Sequence, residues 1–274
     1  MPITTTRARR SSTTGSRLRI EPFADEDLSH DAFLGGRLRI AQPRAGYRAG
    51  IDPVLLAASV PAGAGQSVLD LGCGSGIAAL CLGARVPGLS LAGLEIQPAY
   101  ADLARRNAVD NGQGLEVFTG NVTDMPSPLR QRQFDHVIAN PPYFDRGAGT
   151  PAHDPGREHG MGETLPLAQW VAAAARRAGP KGQVTFIQRA DRLPDLIPAL
   201  AAHLGSLEVM PLIPRQGRVA RLILIRGRKG GRAAFRLHDG VSLHAGGAHG
   251  RDGEDYTPAI SAVLRDAAGL SFSG

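Results

Sequence analysis

Two stretches of this chain combine residue types that ordinary structural needs do not call for. The first is Asn140–Pro141–Pro142–Tyr143, directly after the apolar run His136–Ala139. The Asn140 side-chain oxygen and the Pro141 backbone carbonyl are two hydrogen-bond acceptors on neighbouring residues. Proline fixes φ, carries no competing N–H and holds the preceding Asn extended, so both acceptors are preset. Each could take one N–H of a planar amino group, favouring a pyramidal nitrogen with its lone pair free to attack. Such chemistry needs alignment, with no metal and no strong base. Tyr143 adds a flat face on which a base can stack, worth roughly 1–3 kcal/mol.

The second stretch is VLDLGCGSG at Val68–Gly76, an apolar strand running into three glycines and then a helix over Ile77–Arg85. Gly72, Gly74 and Gly76 permit positive φ and close backbone approach, so a nucleoside-bearing ligand can lie against the turn and the helix N-terminus. The spacing is G-x-G-x-G, with Asp70 two residues before the first glycine. A dinucleotide fingerprint would place its third glycine at position 77, which is Ile77, and this argues against a nicotinamide oxidoreductase. Glu95 closes the next strand nineteen residues after Gly76, where an acid accepts hydrogen bonds from ribose hydroxyls.

These residues need elements to hold them. Short runs rich in Val, Ile and Leu alternate with Ala-rich amphipathic stretches, the order of βα units around a mostly parallel sheet. Strands are expected near Val68–Leu71, Leu89–Ile96, Glu116–Thr119, His136–Ala139, Val184–Gln188, Leu207–Ile213 and Ala220–Arg226. Helices are expected near Pro53–Ser59, Ile77–Arg85, Pro98–Asn111, Leu167–Ala178 and Arg192–His203. The last two strands are close enough in sequence for an antiparallel hairpin, which predicts a seven-stranded sheet with one antiparallel strand at its edge. Asp52 before Pro53 reads as a helix cap. Phe144–Leu165 is a long Gly/Pro-rich loop, a type with a functional bias.

Of 274 residues, 42% are hydrophobic and 20% charged, the balance of a globular protein. Residues 1–30 read as a basic, disordered tail, with five arginines and no acid among the first twenty residues; residues 31–274 read as one catalytic domain. No apolar run approaches the ~20 residues of a membrane span, and Cys73 and Cys81 have no disulfide or metal-ligand pattern. Histidines at 244 and 249 lack ligand spacing, so no metal is expected. The net charge of +6 suits a polyanionic partner. Arg215, Arg218, Arg221, Arg226, Arg228, Lys229, Arg232 and Arg236 form a run that could track a phosphate backbone.

Together, the glycine turn and the strand ending in N-P-P-Y resemble class I S-adenosylmethionine-dependent methyltransferases acting on amino nitrogens. The resemblance implies a Rossmann-like α/β fold and S-adenosylmethionine as cofactor, with S-adenosylhomocysteine as product. The cofactor contacts implied are Asp70, Gly72, Gly74 and Gly76, then Glu95, Ile96, Asn121, Val122 and Asn140. Asp70 and the glycines would face the methionine portion. The family commonly has an acid after the third strand to accept from the adenine amine; here Gly120–Asn121–Val122 stands in its place, with Asp124 nearby.

From about Phe33 to Tyr256 the chain is similar to bacterial tRNA (adenine-N6)-methyltransferases that modify an adenine beside the anticodon of valine tRNA. GYRAGIDPVLLA, LDLGCGSG, ANPPYF, the Arg157–Glu158 pair and Tyr256–Thr257 carry this likeness. It implies catalysis by Asn140, Pro141 and Tyr143 and substrate contacts from Pro142, Tyr143, Phe144 and Arg157. The target base must be unpaired or flipped out to reach them. A monomeric, cytoplasmic, tRNA-binding enzyme follows. Release-factor glutamine N5-methyltransferases share N-P-P-Y and are an alternative, as are an rRNA or DNA amino-methyltransferase and a non-catalytic RNA-binding protein.

Overall fold

The computed structural model describes residues 18–142, 165–246 and 255–272. An antiparallel hairpin, β1 (Leu28–Phe33) and β2 (Leu38–Pro43), makes a separate two-stranded sheet. After α1 (Asp52–Ser59) the chain alternates β3 (Ser67–Leu71), α2 (Ile77–Arg85), β4 (Ser90–Glu95), α3 (Pro98–Asp110), β5 (Leu115–Thr119), the single turn α4 (Ser127–Arg130) and β6 (Phe134–Ala139). It continues with α5 (Leu167–Arg177), β7 (Ala178–Arg189), α6 (Leu193–Ala201), β8 (Gly205–Ile213) and β9 (Leu222–Arg228), and closes with two-residue strands β10 (Arg236–Leu237) and β11 (Val241–Ser242) and helix α7 (Pro258–Asp266).

Among the described residues the main sheet runs β10-β8-β9-β7-β6-β3-β4-β5, with β11 also pairing β8. Only β9 runs against its neighbours. The seven expected strands are all present, and the reversed one is there, but its expected place at the edge is corrected. The crossover through α6 carries β8 two positions from β7, leaving one place open between them. The return strand then fills the gap, hydrogen-bonding β7 on one side and β8 on the other. Asp52 is likewise not the cap of α1: Ile51 occupies that position and Asp52 lies in the first turn.

The strands are apolar because helices cover both faces, as parallel sheets require. Successive residues of β3 serve different cores: Val68 packs with α1, α2 and α7, and Leu69 with α5 and α6. A third, smaller core joins Phe23, Leu28 and Ala41 to Tyr100 and Leu103 of α3. Packing therefore reaches into residues 18–30, the end of the segment expected as tail; residues 1–17 lie outside the described part.

The N-terminal hairpin is tied down by one buried amide. Asn107 of α3 accepts from Ala41 N (2.8 Å) and donates to Ala41 O (3.1 Å) and to Ser75 O (3.0 Å). It thus joins the hairpin to the glycine turn.

Candidate active site

Pairing brings four strand ends together. Leu71 lies opposite Leu94 on one side and Ala139 on the other, and Glu95 lies opposite Thr119. The segments that follow, from Gly72, Ile96, Gly120 and Asn140, therefore leave the sheet side by side at its carboxyl end. Strand order reverses between β3 and β6, the place where open α/β sheets bind ligands. A cavity of about 620 Å³ opens there, large enough for a nucleoside-sized ligand.

Of the residues expected from the sequence, Asp70, Gly72, Gly74, Glu95, Ile96, Asn121, Val122, Asn140, Pro141 and Pro142 all line this cavity. Gly76 does not. It is the left-handed residue before α2 (φ 87°), and a Cβ there would press on Leu115, Ala104 and Leu80, so its smallness serves helix–sheet packing. Tyr143, Phe144 and Arg157 lie outside the described residues.

Gly72 has the other kind of constraint. Its φ is +69°, and a Cβ would stand 2.7 Å from the indole ring of Trp170. Trp170, on α5, borders the cavity and has no hydrogen-bond partner at its buried Nε1. Asp70 Oδ2 is equally buried and unpartnered. A buried donor and a buried acceptor without partners on the wall of one cavity are what a ligand bearing both a carboxylate and an ammonium would satisfy. Burial raises the Asp70 carboxyl to about 7 despite a hydrogen bond from the Ala79 backbone N–H, and the Glu95 charge adds to the rise.

Glu95 is committed in part. Its Oε2 accepts from Gly74 N (3.0 Å) and its Oε1 from Gln97 N (2.9 Å), which bends the glycine turn around the carboxylate. Each oxygen keeps a lone pair for a hydroxyl donor. Burial pushes this carboxyl up, and the backbone donors of Gln97, Gly74 and Ile96 hold it down.

Asn121 differs from expectation in its hydrogen bonding. Its Oδ1 accepts from both the backbone N (2.9 Å) and Oγ1 (3.0 Å) of Thr123, a tight Asx turn. Both lone pairs are used, so the remaining capacity is the Nδ2 donor. In this arrangement the Asn121 oxygen is committed within the turn.

Several residues on or behind the wall were given no role of their own from the sequence. Tyr47 and Tyr100 border the cavity and are linked: Tyr100 Oη accepts from Tyr47 N at 3.0 Å and donates to Tyr47 O at 3.3 Å. Gln188, at the end of β7, is completely buried and places its Nε2 3.4 Å from the Pro141 carbonyl oxygen. Trp170 is the single tryptophan of the chain, a rarity that could have marked it.

Residues 49–153 match the methyltransferase small domain family. A tRNA1(Val) (adenine(37)-N6)-methyltransferase of Porphyromonas gingivalis is 35% identical over 177 residues, 61% of this chain and 68% of that one. A protein of the same name from Actinobacillus succinogenes is 29% identical over 198 residues, 71% and 82% of the two chains. Among solved structures, a predicted O-methyltransferase of Agrobacterium tumefaciens aligns with a TM-score of 0.65 at 26% identity, covering 80% of this chain and 98% of that one. The 16S rRNA N2 G1207 methyltransferase of T. thermophilus shares the fold, with a TM-score of 0.53 at 19% identity over 74% of this chain and 50% of that one.

Proposed function

Because the chain belongs to the tRNA1(Val) (adenine(37)-N6)-methyltransferase family, we propose that it transfers a methyl group from S-adenosylmethionine to N6 of an adenine in tRNA. The carrying observation is the position of Asn140 and Pro141, on the wall of the same cavity as the glycine turn and immediately beyond the strand paired with it. The family names adenine 37 of valine tRNA, and that nucleotide is our proposed target.

The cofactor fits the residues present. Asp70 Oδ2 and Trp170 Nε1 would hold its amino-acid end, Glu95 its ribose hydroxyls, and Asn121 and Val122 its base. Bound there, it supplies an electrophilic methyl carried on a sulfonium. The protein prepares the nucleophile. Asn140 Oδ1 and Pro141 O each accept one N–H of the target amine, turning its lone pair out of the ring. Pro142 restricts the backbone after Pro141, so the two acceptors do not have to be organised during the reaction. In the transfer the C–N bond would form as the methyl's bond to sulfur breaks, the sulfur leaving as a neutral thioether, and the nitrogen would give up one proton, first along its hydrogen bond and then to water.

The relatives favour this reading over transfer to a glutamine amide. No described helix is long and apolar enough to cross a membrane, and we propose a cytoplasmic enzyme meeting its tRNA there. Incubation with labelled S-adenosylmethionine and, separately, total tRNA, rRNA, DNA and a release factor tests the function. Label recovered as N6-methyladenosine from tRNA is the expected result. Label in the release factor alone would transfer the assignment to glutamine methylation.

A further inference from the structure

The basic run between positions 215 and 236 is continuous only in sequence. β9 crosses the sheet through its middle, and seven residues at ~3.3 Å each separate the two halves by about 20 Å. At the far end of β9 and beyond it the cations lie opposite the cavity or are engaged. Arg228 donates to Lys181 O at 3.2 Å, and Lys229 donates to Ala175 O and Ala178 O at 3.0 and 2.8 Å. Arg226 pairs with Glu208 at 3.1 Å and lies over the Phe272 ring.

Before β9 the arrangement differs. Arg215 is buried, and its guanidinium donates to Ala245 O (2.5 Å) and pairs with Asp255, which pins the turn between β8 and β9 to the segment leading into α7. Arg218 and Arg221 stand exposed on that turn. Their place relative to the site follows from the register. Gln188, which touches Pro141, is paired with Ile223, and Arg189 with Leu222. Ala190 N also donates to Arg221 O at 2.8 Å. Arg221 is therefore two strands from Pro141, about 10 Å at the usual strand spacing. On the adjoining turn and the first turn of α6, Asp191 and Asp195 pair with Arg189 and Arg192, so among the described residues there the acids are matched, and Arg218 and Arg221 stand exposed beside them.

We infer that the turn Arg215–Arg221 is the phosphate-holding element for tRNA, with Arg218 and Arg221 neutralising backbone phosphates next to the target adenine and Arg215 fixing their position. This rests on the tRNA reading above. Phosphate contacts of this kind set register while the base pocket sets specificity. The far half of the run, Arg232 and Arg236 included, takes no part.

The test compares two double variants that remove equal charge, Arg218→Ala/Arg221→Ala and Arg232→Ala/Arg236→Ala, all at exposed positions. Binding of total tRNA is measured across a salt series, methylation in single turnover, and cofactor affinity by calorimetry. The near-end variant should bind tRNA about tenfold more weakly, with a salt slope smaller by roughly one per arginine removed. Its cofactor affinity and its rate at saturating tRNA should match wild type, and the far-end variant should behave as wild type throughout. Equal losses in both variants would reduce the effect to net charge and overturn the inference. An unchanged near-end variant would overturn it as well. Wild-type protein that neither binds nor methylates tRNA would overturn the functional reading itself, a result distinct from either.

Discussion

Gln188 Nε2 donates to the Pro141 carbonyl from the neighbouring strand, at 3.4 Å, while Gln188 Oε1 accepts from Arg189 N at 2.9 Å. A fully buried amide with both ends used has one orientation. It holds the Pro141 peptide plane by one lone pair and leaves the other for the proposed acceptor role. Gln188→Leu should lower kcat roughly tenfold, about 1.4 kcal/mol, with cofactor affinity unchanged. Gln188→Glu gives a sharper readout: its protonated carboxyl can still donate, its ionised form cannot, so kcat should fall as pH rises through the titration of the new group. A flat pH profile in that variant would count against positioning.

Asn140→Ala removes one of the two proposed amine acceptors. Loss of a preorganised acceptor of this kind costs on the order of 10²–10³ in kcat. Cofactor dissociation constants should change little, and tRNA should still bind. Retained turnover would remove Asn140 from the mechanism.

The site was legible where chemistry dictates residue type. Asn140–Pro141 and the turn at Gly72–Gly76 could be read because few other needs put those residues after apolar strands. The strands themselves followed from their buried Val, Leu and Ile runs. Gln188 could not be read, because a glutamine at a strand end looks like a solvent-facing side chain until the neighbouring strand is known. The hairpin of β1 and β2 was also missed. Its docking on α3 uses Asn107, 66 residues from Ala41, and no local pattern reports such a contact. The basic run misled for a similar reason, since proximity in sequence is reversed by an extended strand.

Asp70 predicts a pH dependence. Its carboxyl in the folded, cofactor-free protein is raised to about 7 from 3.8, so the folded state holds more protons than the unfolded one between those values. Its favourable contribution is full below the unfolded value and is lost as pH rises towards 7. Asp70→Asn should therefore flatten this part of the stability profile, and thermal unfolding of the free protein at pH 8 should shift upward by a few degrees. Cofactor binding should weaken in the same variant, because the acceptor for an ammonium is gone. A variant that binds as tightly as wild type would exclude Asp70 from the cofactor.

Trp170 gives a direct optical reading. As the sole tryptophan, on the cavity wall with a buried unpartnered N–H, it should change its emission on titration with S-adenosylhomocysteine. Trp170→Phe keeps most of the packing against Gly72 but removes the donor, and should weaken cofactor binding about tenfold. Unchanged affinity would show that the indole packs without bonding.

Asn107→Ala would leave Ala41 N, Ala41 O and Ser75 O without their partner in a buried site. Denaturant unfolding should show a loss of about 2–4 kcal/mol, as expected for orphaned buried groups. Full stability in this variant would mean that water reaches those groups.

The inward position of β9 also bears on synthesis. A nascent chain that has emerged only as far as β7 has an open strand edge, with the apolar side chains of β7 waiting for Ile223, Leu224 and Ile225. An uncovered edge of this kind pairs readily with other chains. The last fifty or so residues thus act as a plug against self-association, and a message truncated after position 220 should yield aggregates even though every proposed catalytic residue has been translated.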